Sequence, residues 1–127
     1  MSLARSSLAL TVLVLLAAAS PARADGDVEA GAKVFRKCKA CHTLEADGRH
    51  RIGPNLYGVI GRAAGSAEGY NYSDAMKGSG VVWSEESLEK YLESPKDFLP
   101  KNKMAFAGLK KVDDRADVIA YLKQQSK

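Results

Sequence analysis

The chain has 127 residues, 46% of them hydrophobic and 27% charged, and its 19 basic and 15 acidic side chains give a formal net charge of +4. These values exclude a collagen, a long coiled coil and a polytopic membrane protein, and they suit one small globular domain. The positive charge is too sparse for a typical nucleic-acid-binding protein. No internal repeat or low-complexity tract follows residue 24.

Residues 1–24 have the pattern of a cleavable secretory signal peptide. A short basic start precedes a 12-residue, almost wholly apolar run at 8–19, and residues 22–24, Ala-Arg-Ala, supply the small residues of a cleavage site. As a helix, this run spans about 18 Å, well short of the ~30 Å core of a bilayer. We therefore expect export from the cytoplasm and a mature domain over residues 25–127 that is not inserted in a membrane. Its 17 basic and 15 acidic residues leave a charge of +2.

Three segments of this mature chain have the apolar periodicity of amphipathic helices. The first predicted helix begins after Asp27 and has Val28, Gly31, Phe35 and Cys38 on one face. The second runs from Ser84 to a stop at Pro95, with Trp83 and Leu88 at the spacing of a hydrophobic staple. The third runs from about Asp113 to Gln124, and a short helix is more weakly indicated at 73–77. Residues 42–72 are rich in glycine and show no strand-like alternation. Because three helices provide a thin core, ordering so long a loop requires a staple or a large apolar cofactor.

The segment Cys38-Lys39-Ala40-Cys41-His42 contains both cysteines of the chain and has the C-x-x-C-H pattern of covalent haem attachment. Two thiols at this spacing can add to the two vinyl groups at one edge of a porphyrin, and His42 can then bind the iron. A redox dithiol normally opens a helix after a strand, whereas this motif closes a helix. A structural disulfide here would close a small, strained loop.

A zinc site is the remaining alternative for this motif. Its four ligands would be Cys38, Cys41, His42 and His50, a set that is large enough for tetrahedral zinc. However, a histidine directly after a ligating cysteine is awkward for tetrahedral closure. The motif and the export signal together favour haem.

A second axial ligand for the iron has three candidates in the mature chain: His50, Met76 and Met104. His50 is close in sequence to His42, in a charged loop, and Met76 lies in a polar stretch. Met104 follows two prolines in an extended, lysine-rich segment that can reach the opposite face of a haem. Methionines often fill gaps in a hydrophobic core, but the residues around Met104 are too polar to form such a core. We favour Met104.

Several motifs occur in the order in which they appear in class I cytochromes c of the mitochondrial-like type, a family that includes bacterial periplasmic members. The chain resembles this family over Gly26 to Lys127, through Gly26 to Glu29, Cys38 to His42, Gly53-Pro54-Asn55-Leu56, Gly61-Arg62, Tyr91-Leu92 with Pro95, Lys103-Met104, Phe106-Ala107-Gly108 and Ile119 to Lys123. The resemblance implies a small all-α cytochrome c fold, in which helices and glycine-rich loops surround one covalently attached haem c with its iron. Together with the predicted signal peptide at residues 1–24, the resemblance to a family with bacterial periplasmic members predicts a periplasmic location.

The resemblance assigns a role to each candidate site residue. It implies thioether attachment through Cys38 and Cys41, axial ligation by His42 and Met104, and haem propionates held by Arg62, Tyr72 and Trp83. It further implies that the N- and C-terminal helices cross at Gly31, and that the carbonyl of Pro54 accepts a hydrogen bond from His42.

The chain departs from the family pattern at a few positions. The segment before Cys38 is one residue shorter than in mitochondrial members. Met76 stands where an asparagine is common, and Asn102 stands where a threonine usually supports the methionine-bearing loop. We expect these two departures to alter the reduction potential and the stability of the loop rather than the ligation.

Iron with both axial positions filled can only cycle between its ferric and ferrous states, so we expect an electron-transfer protein and not an enzyme. The resemblance implies a monomeric carrier between a cytochrome bc complex and a terminal oxidase or photosynthetic reaction centre. Basic residues concentrated in the segments beside both ligands predict a positive docking face for membrane redox complexes, formed by Arg36, Lys37, Lys39, Lys96, Lys101, Lys103, Lys110 and Lys111. The alternative class is a haem enzyme, or a sensor of gas or peroxide, in which Met104 leaves the iron. A dithiol or zinc-binding module is the third and least favoured alternative.

Overall fold

The computed structural model describes residues 26–127, and the predicted signal peptide at 1–24 lies outside the described residues and stays a prediction. The described chain folds into five helices: α1 (Val28–Phe35), α2 (Asp74–Lys77), α3 (Glu85–Glu93), α4 (Pro95–Phe98) and α5 (Val112–Gln125). Its extended pairing is limited to an isolated bridge between Ala63 and Val82. The expectation of a small all-α fold is confirmed. None of the helices between residues 26 and 127 has the length and apolarity needed to cross a membrane.

The helix starts follow the capping residues in the sequence. The Asp27 side chain accepts a hydrogen bond from the backbone N–H of Ala30 at the start of α1. Ser84 caps α3 and forms a reciprocal capping box with Ser87. The short helix expected at 73–77 is present as α2, with Ser73 as its N-cap.

Two boundaries differ from the sequence-based expectation. The first helix ends at Phe35, and the chain continues in successive turns through Cys38 and Cys41. Pro95 does more than stop α3, because it is the first residue of α4. Proline suits this position since the first residues of a helix have no intrahelical acceptor for their N–H groups.

Helices α1 and α5 cross at Gly31, as the resemblance implies. A Cβ atom at this position would lie 2.0 Å from the carbonyl oxygen of Asp117, so only glycine lets the two backbones approach this closely. Beside the crossing, the rings of Phe35 and Tyr121 are 5.4 Å apart. The carboxylate of Asp117 also accepts from the backbone N–H of Asp27 at 2.7 Å. The crossing therefore fixes the start of the turn that carries Cys38.

The buried core lies between this crossing and α3. Its hydrophobic members are Val34, Phe35, Val59, Trp83, Leu88, Tyr91, Leu109, Val118, Ile119 and Leu122. The glycine-rich segment joins this core where it pairs with the chain before α3. The N–H of Gly61 donates to the carbonyl of Trp83 at 2.6 Å, and the N–H of Trp83 donates to the carbonyl of Arg62 at 2.9 Å. These bonds bring Arg62 and Trp83 to the same side of the molecule.

The substitution Gly31→Val tests the helix crossing. We expect it to lower the free energy of unfolding by about 1–3 kcal/mol, because overpacked contacts between rigid backbones cost at least this much. The control is Lys33→Ala on the exposed side of α1, which should change stability by less than about 0.5 kcal/mol. Denaturant unfolding measures both changes, and equal losses in the two variants would contradict the role given to Gly31.

Candidate functional site

All seven residues that sequence reasoning assigned to the site line one apolar cavity of about 250 Å³. They are Cys38, Cys41, His42, Arg62, Tyr72, Trp83 and Met104. The helices supply the rear of this cavity through side chains such as Leu88, Tyr91 and Val118, and the loops supply the rest. The structure therefore brings together, around one space, chemical groups that are far apart in the sequence.

The two cysteines lie on consecutive turns after α1. The carbonyl of Cys38 accepts hydrogen bonds from the N–H groups of Cys41 and His42, at 3.1 and 3.0 Å. This compact turn places two free, partly buried thiols on the cavity wall directly beside the imidazole. Burial, and to a smaller extent the neighbouring Cys41, raises the pKa of Cys38 to about 11. Its thiol is thus uncharged at neutral pH and compatible with apolar surroundings.

The His42 ring is oriented by the backbone. Its Nδ1 lies 2.7 Å from the carbonyl oxygen of Pro54, and because a carbonyl can only accept, Nδ1 carries the proton. Burial lowers the pKa of His42, so the ring is neutral and Nε2 keeps a lone pair available to a metal. The hydrogen bond to Pro54 that the resemblance implied is present.

Gly53 gives the ring the space that this orientation needs. A Cβ atom at Gly53 would lie 2.3 Å from Cε1 of His42. The backbone of Gly53 is itself held, since its N–H donates to the carbonyl of Cys41 at 2.8 Å. The Gly-Pro pair therefore supports the imidazole by close contact on one side and by a hydrogen bond on the other.

The ring of His50 is hydrogen-bonded to backbone groups away from the cysteines, so the structure does not support the zinc alternative. Its Nε2 donates to the carbonyl of Glu68 at 2.7 Å, and its Nδ1 accepts from the N–H of Asn55 at 2.9 Å. Both ring nitrogens are thus engaged in the protein. Across residues 26–127, no group of three or more His, Cys, Asp or Glu side chains could hold a metal ion.

Both candidate methionines reach the cavity wall. Met76 and Met104 are partly buried and pack against the core. Met104 differs in that the hydroxyl of Tyr91 lies 3.8 Å from its sulfur. Burial raises the pKa of Tyr91 to about 12, so this hydroxyl remains a donor at neutral pH. Both sulfurs are on the cavity, so their position alone does not decide which methionine is the ligand. The hydrogen bond from Tyr91 orients the sulfur of Met104 and favours this residue.

The three residues expected at the propionates are also on the cavity wall. The guanidinium of Arg62 donates to the carbonyls of Tyr57 and Asn55, at 3.2 and 3.1 Å, which fixes it in place while its positive charge remains available. The hydroxyl oxygen of Tyr72 accepts from a backbone N–H at 3.2 Å. Trp83 is buried, and its ring centroid lies 4.8 Å from that of Tyr91, with the two ring planes tilted by 49°.

Sequence reasoning missed Tyr70 as a further side chain of the site, and it named Asn102 only as a departure that affects the methionine-bearing loop, without its hydrogen-bond partners. The Tyr70 hydroxyl donates to the carbonyl of Ile52 at 2.6 Å, and its ring lies 4.7 Å from that of Tyr72. The spacing of the two tyrosines in Tyr70-Asn71-Tyr72 was a usable signal, because residues two apart in an extended segment lie on the same side.

Comparisons with known proteins agree with the site. The model of the cytochrome c family matches residues 28–126, nearly all of the described chain. A cytochrome c of the fungus Gibberella zeae is 52% identical over 105 residues, which are 82% of this chain and 99% of that protein. A cytochrome c of Theileria parva is 54% identical over 103 residues, covering 80% and 89%. One from Arabidopsis thaliana is 48% identical over 103 residues, covering 80% and 92%.

The chain belongs to the cytochrome c family. Members of this family carry one covalently attached haem c with its iron, and they are electron-transfer proteins rather than enzymes. The residues of the cavity fit that group: two thiols on one turn, a neutral imidazole, two thioethers and apolar walls. The expected fold, cofactor and class of activity are therefore confirmed.

The expected location is wrong. The relatives compared here come from a fungus, an apicomplexan parasite and a plant, and eukaryotes have no periplasm. The pattern of residues 1–24 therefore does not identify a periplasmic protein, and the bacterial member of the family that it suggested is not supported.

The substitution Gly53→Ala tests how His42 is held. Because the added Cβ meets the imidazole, we expect a stability loss of about 1–3 kcal/mol and a changed haem absorption spectrum. Gly58→Ala is the control: its Cβ meets nothing within 4 Å, but φ is +69°, so it costs about 1 kcal/mol of backbone strain without changing the spectrum. An unchanged spectrum in Gly53→Ala would mean that the ring does not depend on this contact.

Proposed function

We propose that this cytochrome c binds its haem iron between His42 and Met104 and carries single electrons between membrane redox complexes. The observation that carries the proposal is the meeting of the Cys38-to-His42 turn and the Met104 segment on one apolar cavity. His42 and Met104 are 62 positions apart in the sequence. Within the described residues, they do not belong to the same helix.

The proposed ligands suit an iron that changes its charge by one unit. When bound, the haem supplies an iron that accepts and releases one electron. His42 supplies a neutral nitrogen donor whose direction is set by Pro54. Met104 supplies a thioether, a soft ligand that favours the ferrous state and with it a high reduction potential. Two bound side chains leave no free position for oxygen or peroxide, which supports a carrier over a sensor.

The haem propionates are the second part of the proposal. A carboxylate in a mostly apolar cavity is costly unless it meets a positive charge or hydrogen-bond donors. Arg62 offers the charge, and Tyr72 and Trp83 offer an O–H and an N–H on the same cavity. We assign these three residues to the propionates.

The proposed partners are a cytochrome bc complex as donor and a terminal oxidase or photosynthetic reaction centre as acceptor. The docking face would consist of the eight basic residues near the two ligand segments, all of which are exposed: Arg36, Lys37, Lys39, Lys96, Lys101, Lys103, Lys110 and Lys111. Two of them, Lys37 and Lys103, also line the cavity. Charge next to the site of electron transfer would attract acidic partner surfaces and orient them.

Replacing each methionine by leucine tests the ligand assignment. We expect Met104→Leu to abolish the weak long-wavelength absorption band of sulfur-bound ferric iron and to lower the reduction potential, because leucine cannot donate to iron. Met76→Leu is a matched control on the same cavity and should keep the band. Loss of the band in Met76→Leu alone would reverse the assignment and overturn this part of the proposal.

Reversing charge on the docking face tests the choice of partner. We expect the double variant Lys37→Glu and Lys96→Glu to slow reaction with a detergent-solubilised terminal oxidase about tenfold at low salt, because steering by charge is lost. The difference should vanish near 1 M salt, where the Debye length is about 3 Å.

The matched control makes the same change in net charge away from the proposed face. It combines Lys90→Glu with Lys127→Glu, two exposed lysines outside the cavity lining, of which Lys90 lies beside the acidic Glu86 on α3. Equal slowing in the two double variants would show that total charge, and not a face, controls the encounter.

A further inference from the structure

The segment that carries Met104 is tied down by the side chain of Asn102. The amide nitrogen donates to the carbonyls of Pro95 and Leu99, at 2.9 and 2.8 Å. The amide oxygen accepts from the backbone N–H of Met104 at 2.9 Å. This orientation of the amide is fixed by its partners, because carbonyls only accept and an N–H only donates. One side chain thus connects the methionine to α4 and the residue after it.

Asn102 also shares a hydrogen-bond donor with the Met104 sulfur. The hydroxyl of Tyr91 lies 3.4 Å from Oδ1 of Asn102 and 3.8 Å from Sδ of Met104. A phenol has one proton and donates it to one acceptor at a time. The oxygen of Asn102 therefore competes with the sulfur for this proton, so the same side chain acts on both the backbone and the thioether of Met104.

The chain contains a close match for this arrangement at Asn55, which does not line the cavity. Asn55 donates through its amide nitrogen to Oγ1 of Thr43 and to the carbonyl of Glu45, at 2.8 and 3.0 Å. Its amide oxygen accepts from the N–H of Tyr57, two residues later, at 3.0 Å. Asn55 thus holds a loop with the same pattern of bonds, but the loop it holds contains no methionine.

We propose that Asn102 is the positioning residue of Met104 and determines how firmly its thioether stays on the iron, whereas the side chain of Asn55 makes no contact with the Met104 segment. This inference rests on the proposed function, because it takes Met104 as an iron ligand. It concerns this chain in particular: a threonine at the same position has one hydroxyl proton and cannot donate to both Pro95 and Leu99.

Displacement of the methionine by imidazole in the ferric haem protein tests the proposal. We expect Asn102→Ala to raise the apparent association constant for imidazole about tenfold, because the segment that carries Met104 loses the hydrogen bonds that hold it closed. Asn102→Thr should give a smaller increase. Asn55→Ala should change the constant less than about twofold, even though it also lowers the denaturant midpoint.

Two outcomes would overturn the role of Asn102: an imidazole constant that rises equally in Asn102→Ala and Asn55→Ala, or one that rises in neither. If Asn102→Ala does not fold, Asn102→Asp keeps the shape and the acceptor oxygens, and a constant equal to that of the unchanged protein would contradict the part played by the two donor bonds.

Met104→Leu separates this inference from the proposed function. If it leaves the imidazole constant unchanged, Met104 is not the ligand that imidazole displaces, and the proposed function itself fails. If the constant rises in Met104→Leu but not in the Asn102 variants, the ligand assignment stands and only the role of Asn102 is wrong.

Discussion

A small chain that must enclose a large apolar group cannot rely on a compact core, and this constraint governs the structure. The cavity reaches the side chains of α3 and α5, so these helices form one wall instead of packing wholly on each other. The crossing of α1 and α5 at Gly31 supplies the rigid part of the molecule and fixes the position of the cysteine turn. The remaining walls are loops, whose order depends on specific hydrogen bonds and on the covalently attached haem.

The two proposed iron ligands, His42 and Met104, are held in different ways. On the His42 side, the orientation comes from the main chain, through the carbonyl of Pro54 and the bare backbone of Gly53. On the Met104 side, it comes from side chains, the amide of Asn102 and the hydroxyl of Tyr91. Side-chain substitutions can therefore adjust how Met104 is held in small steps. The main-chain support of His42 tolerates few substitutions.

The sequence predicted the helices and the attachment motif well, since both depend on local chemistry. Asp27 and Ser84 cap helices because their side chains reach the first free N–H groups, and the C-x-x-C-H spacing follows from the size of the porphyrin edge. The true end of α1 at Phe35 and the start of α4 at Pro95 were not predicted, because both depend on how the following turns pack.

Tertiary contacts and cellular location were beyond the reach of local patterns. The resemblance placed Asn102 in the methionine-bearing loop, but its partners could not be predicted, because they lie up to eleven residues away in a segment of irregular shape. A leader-like stretch indicates export only in general terms, and it led to a periplasmic location that the eukaryotic relatives contradict.

The most direct test of the central claim, an iron closed on both faces by protein side chains, is exposure of the ferrous haem protein to carbon monoxide at neutral pH. We expect the absorption spectrum to stay unchanged on addition of the gas, because His42 and Met104 would leave no free position on the iron. Rapid conversion to a carbon monoxide complex would contradict it, since the iron would then be open and the protein suited to binding ligands rather than to carrying electrons.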